Sequence, residues 1–343
     1  MVQPQDPRPG ECALNLLSVA QLIELSLEPN VADAEDSGVA LVVNLDTDQA
    51  TRDQHNKLVR WLDRQPMPVI ALNAQPGTSV LCDCVDVRVN DPATLERVYE
   101  KVVANPQASA VLVQVLRAQA TLEVTSALAL ESLGYATLQA GREFSAWLTA
   151  TQGRYPARAE SEQAPLLMRR SGSLLHMTLA SARNRNALSR AMRDALSSAF
   201  KLVLMDEDIH TVLVDAEGPC FSAGGDLSEF GSMQDQAMAH AIRMQRMPAQ
   251  YLAACADRCE FKVHGAAIGA GIELSAFAKR LVATSDTLFR LPEVAMGLIP
   301  GAGGCVSIPK RIGRQRTALM AILGEDVDAH TALAWGLIDA IVD

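Results

Sequence analysis

The chain has 343 residues, 49% of them apolar, and 30 basic side chains against 40 acidic ones give a formal net charge of -10. This length suits two units with separate or partly shared cores. The charge disfavours nucleic acid or an anionic membrane as a general partner, although an acidic protein still binds phosphates in a local basic pocket.

The longest apolar stretches, such as 39–43 and 110–113, are strand-sized and too short to span a bilayer. The first twenty residues carry Pro, Asp and Glu but no basic start leading into an apolar run, so no secretory signal is evident and cytoplasmic residence is expected. Seven scattered cysteines (Cys12, Cys82, Cys84, Cys220, Cys255, Cys259 and Cys305) differ from the dense even frameworks of small secreted domains and read as reduced thiols. The pairs Cys82/Cys84 and Cys255/Cys259 lack a following His or Cys at zinc-site spacing, so no metal is expected.

From 38 to 74 the sequence reads as strand, helix, strand: GVALVVNL, a helical pattern over 54–64, then PVIALN. In 91–104 Asp91 precedes Pro92, an N-cap and first-turn pairing, with Leu95, Val98, Val102 and Val103 at helical spacing. The run AVLVQVL (110–116) reads as a buried strand and 125–149 as a long helix interrupted by Gly134 and Gly141. The polar, two-proline stretch 153–165 is the expected linker between an N-terminal α/β domain (1–152) and a second domain (166–343). There, 174–179 and 211–215 are strand-like, 186–204 and 234–255 helical, and 261–264 a short strand. A helix feeding a strand recurs in both halves, which raises the option of an internal duplication.

Two glycine-rich loops carry the chemistry: CFSAGGDLSEF (220–230) and VHGAAIGAGIELSAF (263–277). A glycine-rich turn running into a helix offers free backbone N–H groups at a positive helix end. Two such turns facing each other make a two-donor oxyanion hole, in which losing one donor costs roughly 2.7 to 4 kcal/mol of transition-state stabilisation. The same loops also fit plain tight turns. Glu273 and Glu293 both lie in apolar surroundings, which raise a carboxyl pKa and suit it to proton transfer near neutrality. Two such groups can divide acid and base roles; the plainer alternative has Glu273 complementing a helix start and Glu293 on a rim.

At these residues, and from about 166 to the last residue, the sequence resembles the crotonase (enoyl-CoA hydratase/isomerase) superfamily. LASARNRNALS (179–189) is similar to the family's first helix entry, CFSAGGDL to its first oxyanion loop and HGAAIGAGIEL to its second, and FRLPEVAMGLIPGAGG followed by IPKRIG to its next segment. The resemblance implies an α/β fold, a crotonase-like spiral of ββα units, preceded here by the smaller N-terminal α/β domain. It implies a thioester carbonyl held by the N–H groups of Gly225 and Ala270, with Glu273 and Glu293 positioning and deprotonating water for addition at C3 and delivering a proton to C2. Coenzyme A, part of the substrate rather than a separate cofactor, would be cradled by Arg183, Arg185, Ala187, Leu188, Ser222, Ala223 and Gly224, the two arginines reaching its phosphates. Either arginine also fits a merely solvated role.

Reversible hydration of a 2-enoyl-CoA, a lyase activity, is the first expectation, in a homo-oligomer built on trimers or dimers. Isomerisation, carbon–carbon cleavage or cofactor-free oxygenation of an acyl-CoA is the alternative, as is a non-catalytic acyl-CoA-binding scaffold subunit, against which the Glu pair counts. Arg290 stands where hydratases more often have Gly, and part of the wording is similar to the dihydroxyphenylacetyl-CoA dioxygenase branch, whose members tend to have an amide where Glu273 stands. The likeness stops at LIDAIVD, where the family continues with further helices. LESLGYATLQAGREFSAWL (130–148) loosely resembles that helical tail, so Leu133, Leu138, Phe144 and Trp147 are expected to pack on the catalytic domain.

Overall fold

The computed structural model describes residues 14–27, 38–46, 50–74, 79–156 and 163–343. Cys12 and the centre of the 153–165 stretch lie outside them. Two compact units, 1–106 and 107–343, divide the chain.

The first unit is a parallel four-stranded sheet in the order β1 (Leu16–Ser18), β2 (Leu41–Asn44), β3 (Val69–Leu72), β4 (Val87–Val89), with helices α1 (Val19–Ser26), α2 (Arg52–Leu62) and α3 (Pro92–Ala104). Its core joins Val19 and Leu22 of α1, Leu58 and Leu62 of α2, and Val43, Val69 and Ala71 of the sheet. Such apolar strands suit a parallel sheet covered on its faces. Asp91 caps α3 as its spacing predicts, its Oδ1 accepting from Thr94 N at 2.8 Å.

The run 110–116 is not a strand. It lies inside α4 (Pro106–Gln119), whose buried positions Ala108, Ser109, Leu112, Val113, Val115 and Leu116 recur at helical spacing. Periodicity alone does not separate a short apolar run in a buried helix from one in a buried strand; the proline at the helix start and the fourteen-residue length decide it. The long 125–149 helix is two helices, α5 (Val124–Gln139) and α6 (Arg142–Ala150), turning at Gly141. Glu143 of α6 accepts from Gln107 N at 2.7 Å and Ala108 N at 3.0 Å, so it supplies the acceptor that the free N–H groups at the start of α4 need.

These three helices belong to the same compact unit as 166–343 rather than to the N-terminal sheet, so the boundary falls at 106/107 and not at 153–165. A proline-rich polar stretch marks a loop, and here the loop lies within a unit. Leu138 and Phe144 are buried, Phe144 and Trp147 face Phe230 at ring-centroid distances of 6.4 and 6.0 Å, while Leu133 stays 52% exposed. Three of the four expected packing residues therefore turn inward.

The larger unit continues with β5 (Leu166–Ser171), β6 (Leu174–Leu179), α7 (Arg190–Met205), β7 (Thr211–Ala216), α8 (Gln236–Arg246), α9 (Pro248–Ala254), β8 (Cys259–Val263), β9 (Ala266–Ile268) and α10 (Ala270–Ser275). Then come β10 (Arg280–Ala283), β11 (Leu288–Arg290), α11 (Gly304–Leu323), β12 (Val327–Asp328), α12 (Ala329–Trp335) and β13 (Ala340–Ile341). The helix expected over 234–255 divides where Pro248 begins a new one. Six strands form one sheet in the order β13-β10-β8-β7-β6-β5, parallel except for the β5–β6 hairpin. A second sheet orders β12-β11-β9. The chain thus passes twice from the large sheet to the small one and then into a helix, through β8-β9-α10 and β10-β11-α11, which is the expected spiral of ββα units.

Candidate active site

The segment 181–188 and the first glycine-rich loop are stitched together by their backbones. Ala223 N donates to Arg185 O at 2.9 Å and Leu188 N to Gly224 O at 2.7 Å; Ser222 Oγ donates to Asn186 O at 2.8 Å. Buried Asn186 spans the gap, accepting from Ser181 N and donating to Glu217 O and Cys220 O. Leu188 pairs with both neighbours of Gly225, through Gly224 O and a long 3.5 Å contact from Asp226 N, and bypasses Gly225 itself. The Gly225 N–H takes no part in that bridge.

The second loop lies alongside the first: Ser222 N donates to Ala266 O and Ile268 N to Ser222 O, each at 3.0 Å. Gly224 must be glycine, since its φ is +91° and a Cβ there would come within 2.9 Å of Ile268 O. Ala270 opens α10 and is buried; four residues back, Ala266 O sits in β9 and accepts from Ser222 N, so the Ala270 N–H lacks the intrahelical acceptor that later helix residues have. Gly225, Ala270, Glu273 and Glu293 line one cavity of about 500 Å³.

Glu273, 2% exposed, uses Oε2 to accept from Ala302 N at 2.7 Å and Gly304 N at 2.9 Å. Burial pushes its carboxyl up to about 7 despite those N–H groups, which favour the charged form. Glu293 follows β11, and Gly269 N donates to Arg290 O at 2.8 Å, tying the second loop to this segment. Gly269 adopts φ +46°, and a Cβ there would overlap Glu293 Oε1 and lie 3.9 Å from Glu273 Oε1, so both carboxylates flank the same glycine. Glu293 Oε2 is buried without a hydrogen-bond partner among the described residues. Burial, then repulsion from Glu273, holds Glu293 well above the usual carboxylate range.

Leu188 lines the cavity, but Arg183 and Arg185 are exposed and do not; Ala187 is buried. Arg190, Arg193 and Arg246 line it instead, and the 181–189 likeness gave no signal for them. Arg290 pairs with Asp326 at 2.7 Å, which gives the unusual arginine a partner of its own. No group of His, Cys, Asp and Glu able to hold a metal occurs among the described residues, and no helix among them is long and apolar enough to cross a membrane.

Tyr135, Glu131 and Arg243 carry no motif in the sequence that marks them as site residues. Tyr135 and Arg243 line the cavity, and the guanidinium lies 4.7 Å over the Tyr135 ring. Arg243 also donates to Ser132 Oγ at 3.1 Å and Gln139 Oε1 at 2.9 Å. Glu131 is 2% exposed and accepts from Gly303 N at 2.7 Å and Cys305 N at 2.8 Å. The signal available for Glu131 was a carboxylate within the apolar helical run ALALESL.

Comparison with known proteins places the chain in a family. The enoyl-CoA hydratase/isomerase family matches residues 169–343, and the chain belongs to it. A probable enoyl-CoA hydratase of Bacillus subtilis is 30% identical over 162 residues, covering 45% of this chain and 60% of that protein. The enoyl-CoA isomerase/hydratase fer4 of Mycosarcoma maydis is 34% identical over 183 residues, 48% of this chain and 64% of its own length. The chain thus spans less than two thirds of the length of these relatives. Among solved structures, DspI of Pseudomonas aeruginosa is 28% identical, with a TM-score of 0.49 over 55% of this chain and 71% of that one.

Proposed function

We propose that the chain catalyses reversible addition of water to a 2-enoyl-CoA. The observation that carries this reading is the pair of buried carboxylates, Glu273 and Glu293, flanking Gly269 in the cavity that also receives Gly225 and Ala270. The N–H groups of Gly225 and Ala270 hold the thioester oxygen and take up the negative charge that develops there. Glu293 Oε2, buried without a partner, accepts a proton from the attacking water. The water oxygen bonds to C3, the C2–C3 π pair moves into the enolate, and Glu273, with its carboxyl near 7, returns a proton to C2. Burial raises the proton affinity of both carboxyls, that of Glu273 to about 7, and neither step needs a metal or redox group. The 181–188 and 222–224 backbones cradle the coenzyme A portion, with Arg183 and Arg185 within the same segment for its phosphates.

The test is a panel of enoyl- and aryl-acyl-CoA thioesters followed for loss of the conjugated enoyl absorbance and for oxygen uptake. Glu273→Gln and Glu293→Gln should each lower turnover by roughly 100- to 10,000-fold while leaving thioester binding largely intact. Near wild-type turnover in both variants, or oxygen uptake in place of hydration, overturns the reading.

A further inference from the structure

The loop that leads into α11 presents four consecutive amide N–H groups, and two carboxylates share them in strict alternation. Glu273 takes Ala302 N and Gly304 N. Glu131 takes Gly303 N with Oε1 and Cys305 N with Oε2. Three elements distant in sequence, α5, α10 and the start of α11, therefore meet at one turn, and both carboxylates are 2% exposed. Successive amides in this turn point to opposite sides, and each side is closed by one glutamate.

We propose that Glu131 is a positioning residue for Glu273: it fixes the turn whose amides hold the Glu273 carboxylate, and as a second negative charge on that turn it governs when Glu273 takes up a proton. A carboxylate at 131 accepts from both amides, one at each oxygen, where a neutral amide side chain offers a single acceptor oxygen. A carboxylate in a buried site adds a charge, and two carboxylates this tightly linked titrate as a pair rather than as independent groups. The other charged or titratable groups facing Glu131 are Arg243 from α8, Cys305 from α11 and, further off, Glu293, with Tyr135 on its own helix. Arg243 is the one cation among them and is half-buried, bonded to neutral acceptors on Ser132 and Gln139. It opposes the repulsion without forming a direct ion pair with Glu131.

This inference rests on the reading of Glu273 as a proton-transfer group, and its test is chosen to stand apart from turnover. In the full-length chain labelled with 13C-glutamate, the carbonyl stretch of buried protonated carboxyls is followed by infrared titration, Glu273 being assigned by its loss in Glu273→Gln. In Glu131→Gln the Glu273 transition should move to lower pH by about one unit or more, since the repelling charge is gone. Because the coupling is reciprocal, the Glu131 transition should fall by a similar amount in Glu273→Gln, which tests the same point if Glu131→Gln does not fold. Glu131→Asp keeps the charge and should leave the Glu273 transition near its wild-type position. If Glu131→Gln, or Glu273→Gln where the former does not fold, shifts the remaining carboxyl's transition by less than about 0.3 unit, Glu131 is a structural cap only and the proposal is overturned. Where an enoyl-CoA is turned over, the same displacement should appear in the pH profile of kcat/KM; a titration shift in a protein that turns over no thioester would sink the hydratase reading and leave this one standing.

Discussion

The two glycine-rich turns deliver a residue to the same cavity by different means. In the first, Leu188 pairs with the neighbours of Gly225 and skips it, so the unclaimed donor follows from a pairing register between two loops. In the second, the donor is the opening residue of α10 and follows from where a helix begins. A donor left by register depends on everything that keeps the loops aligned, whereas a donor at a helix start depends on little beyond its own turn. The first turn should therefore be the more fragile of the two.

Gly225→Pro should have the largest effect. It deletes the N–H, and even a Cβ at this position would meet the Phe230 ring at 3.0 Å, so enoyl-CoA turnover should fall by more than ~1,000-fold. Circular dichroism accompanies the assay to separate lost chemistry from lost folding. Ala270→Pro should cost less, about 100- to 1,000-fold, with the fold retained, because proline is well tolerated at the first residue of a helix. Equal losses of structure in the two variants would contradict the difference between the turns.

Gly224→Ala probes the alignment itself. At φ +91° and 2.9 Å from Ile268 O, a methyl group strains the backbone and presses the loops apart, so the variant should lose about 1 to 3 kcal/mol by denaturant unfolding. An unchanged midpoint would mean the loops are not held in register by this contact.

The subtlest effect to read is a pH slope, spread over more than two pH units. The Glu273 carboxyl, raised from 4.5 to about 7, keeps a proton in the folded chain over an interval in which the unfolded chain has released it. The folded state then binds more protons than the unfolded state, so this group's contribution to stability falls as pH rises from 4.5 to 7 and is level above that. Glu273→Gln cannot ionise and should reduce the dependence in that window without abolishing it, since Glu131 and Glu293 are raised as well; an unchanged slope would assign it to those groups alone.

The parts of the site written as short contiguous motifs were legible in the sequence. CFSAGGDL and HGAAIGAGIEL announce close backbone approach through glycine, and Glu273 and Glu293 stand out because charge is rare in such apolar surroundings. Glu131, Tyr135 and Arg243 were not legible as site residues, because each reaches the cavity or its supporting turn from a helix remote in sequence. The 110–116 run misled because seven apolar-rich residues fit a covered strand as well as a buried helix. The boundary misled for a related reason: composition marks where a chain is free to loop, whereas a unit is defined by long-range ties such as Glu131 to Gly303, across 172 residues.

The aromatic contacts near the first turn have an optical consequence. A Cβ on Gly225 would touch Phe230, and Phe230 lies 6.0 Å from Trp147, whose indole also stacks at 6.3 Å on Tyr155. The indole is thus one ring removed from the cavity, and the other two tryptophans, Trp61 and Trp335, lie on α2 and at the end of α12. With those two replaced by phenylalanine, Trp147 emission becomes a built-in gauge of occupancy. A thioester that displaces Phe230 should change its intensity or wavelength in proportion to saturation, giving a dissociation constant without any turnover.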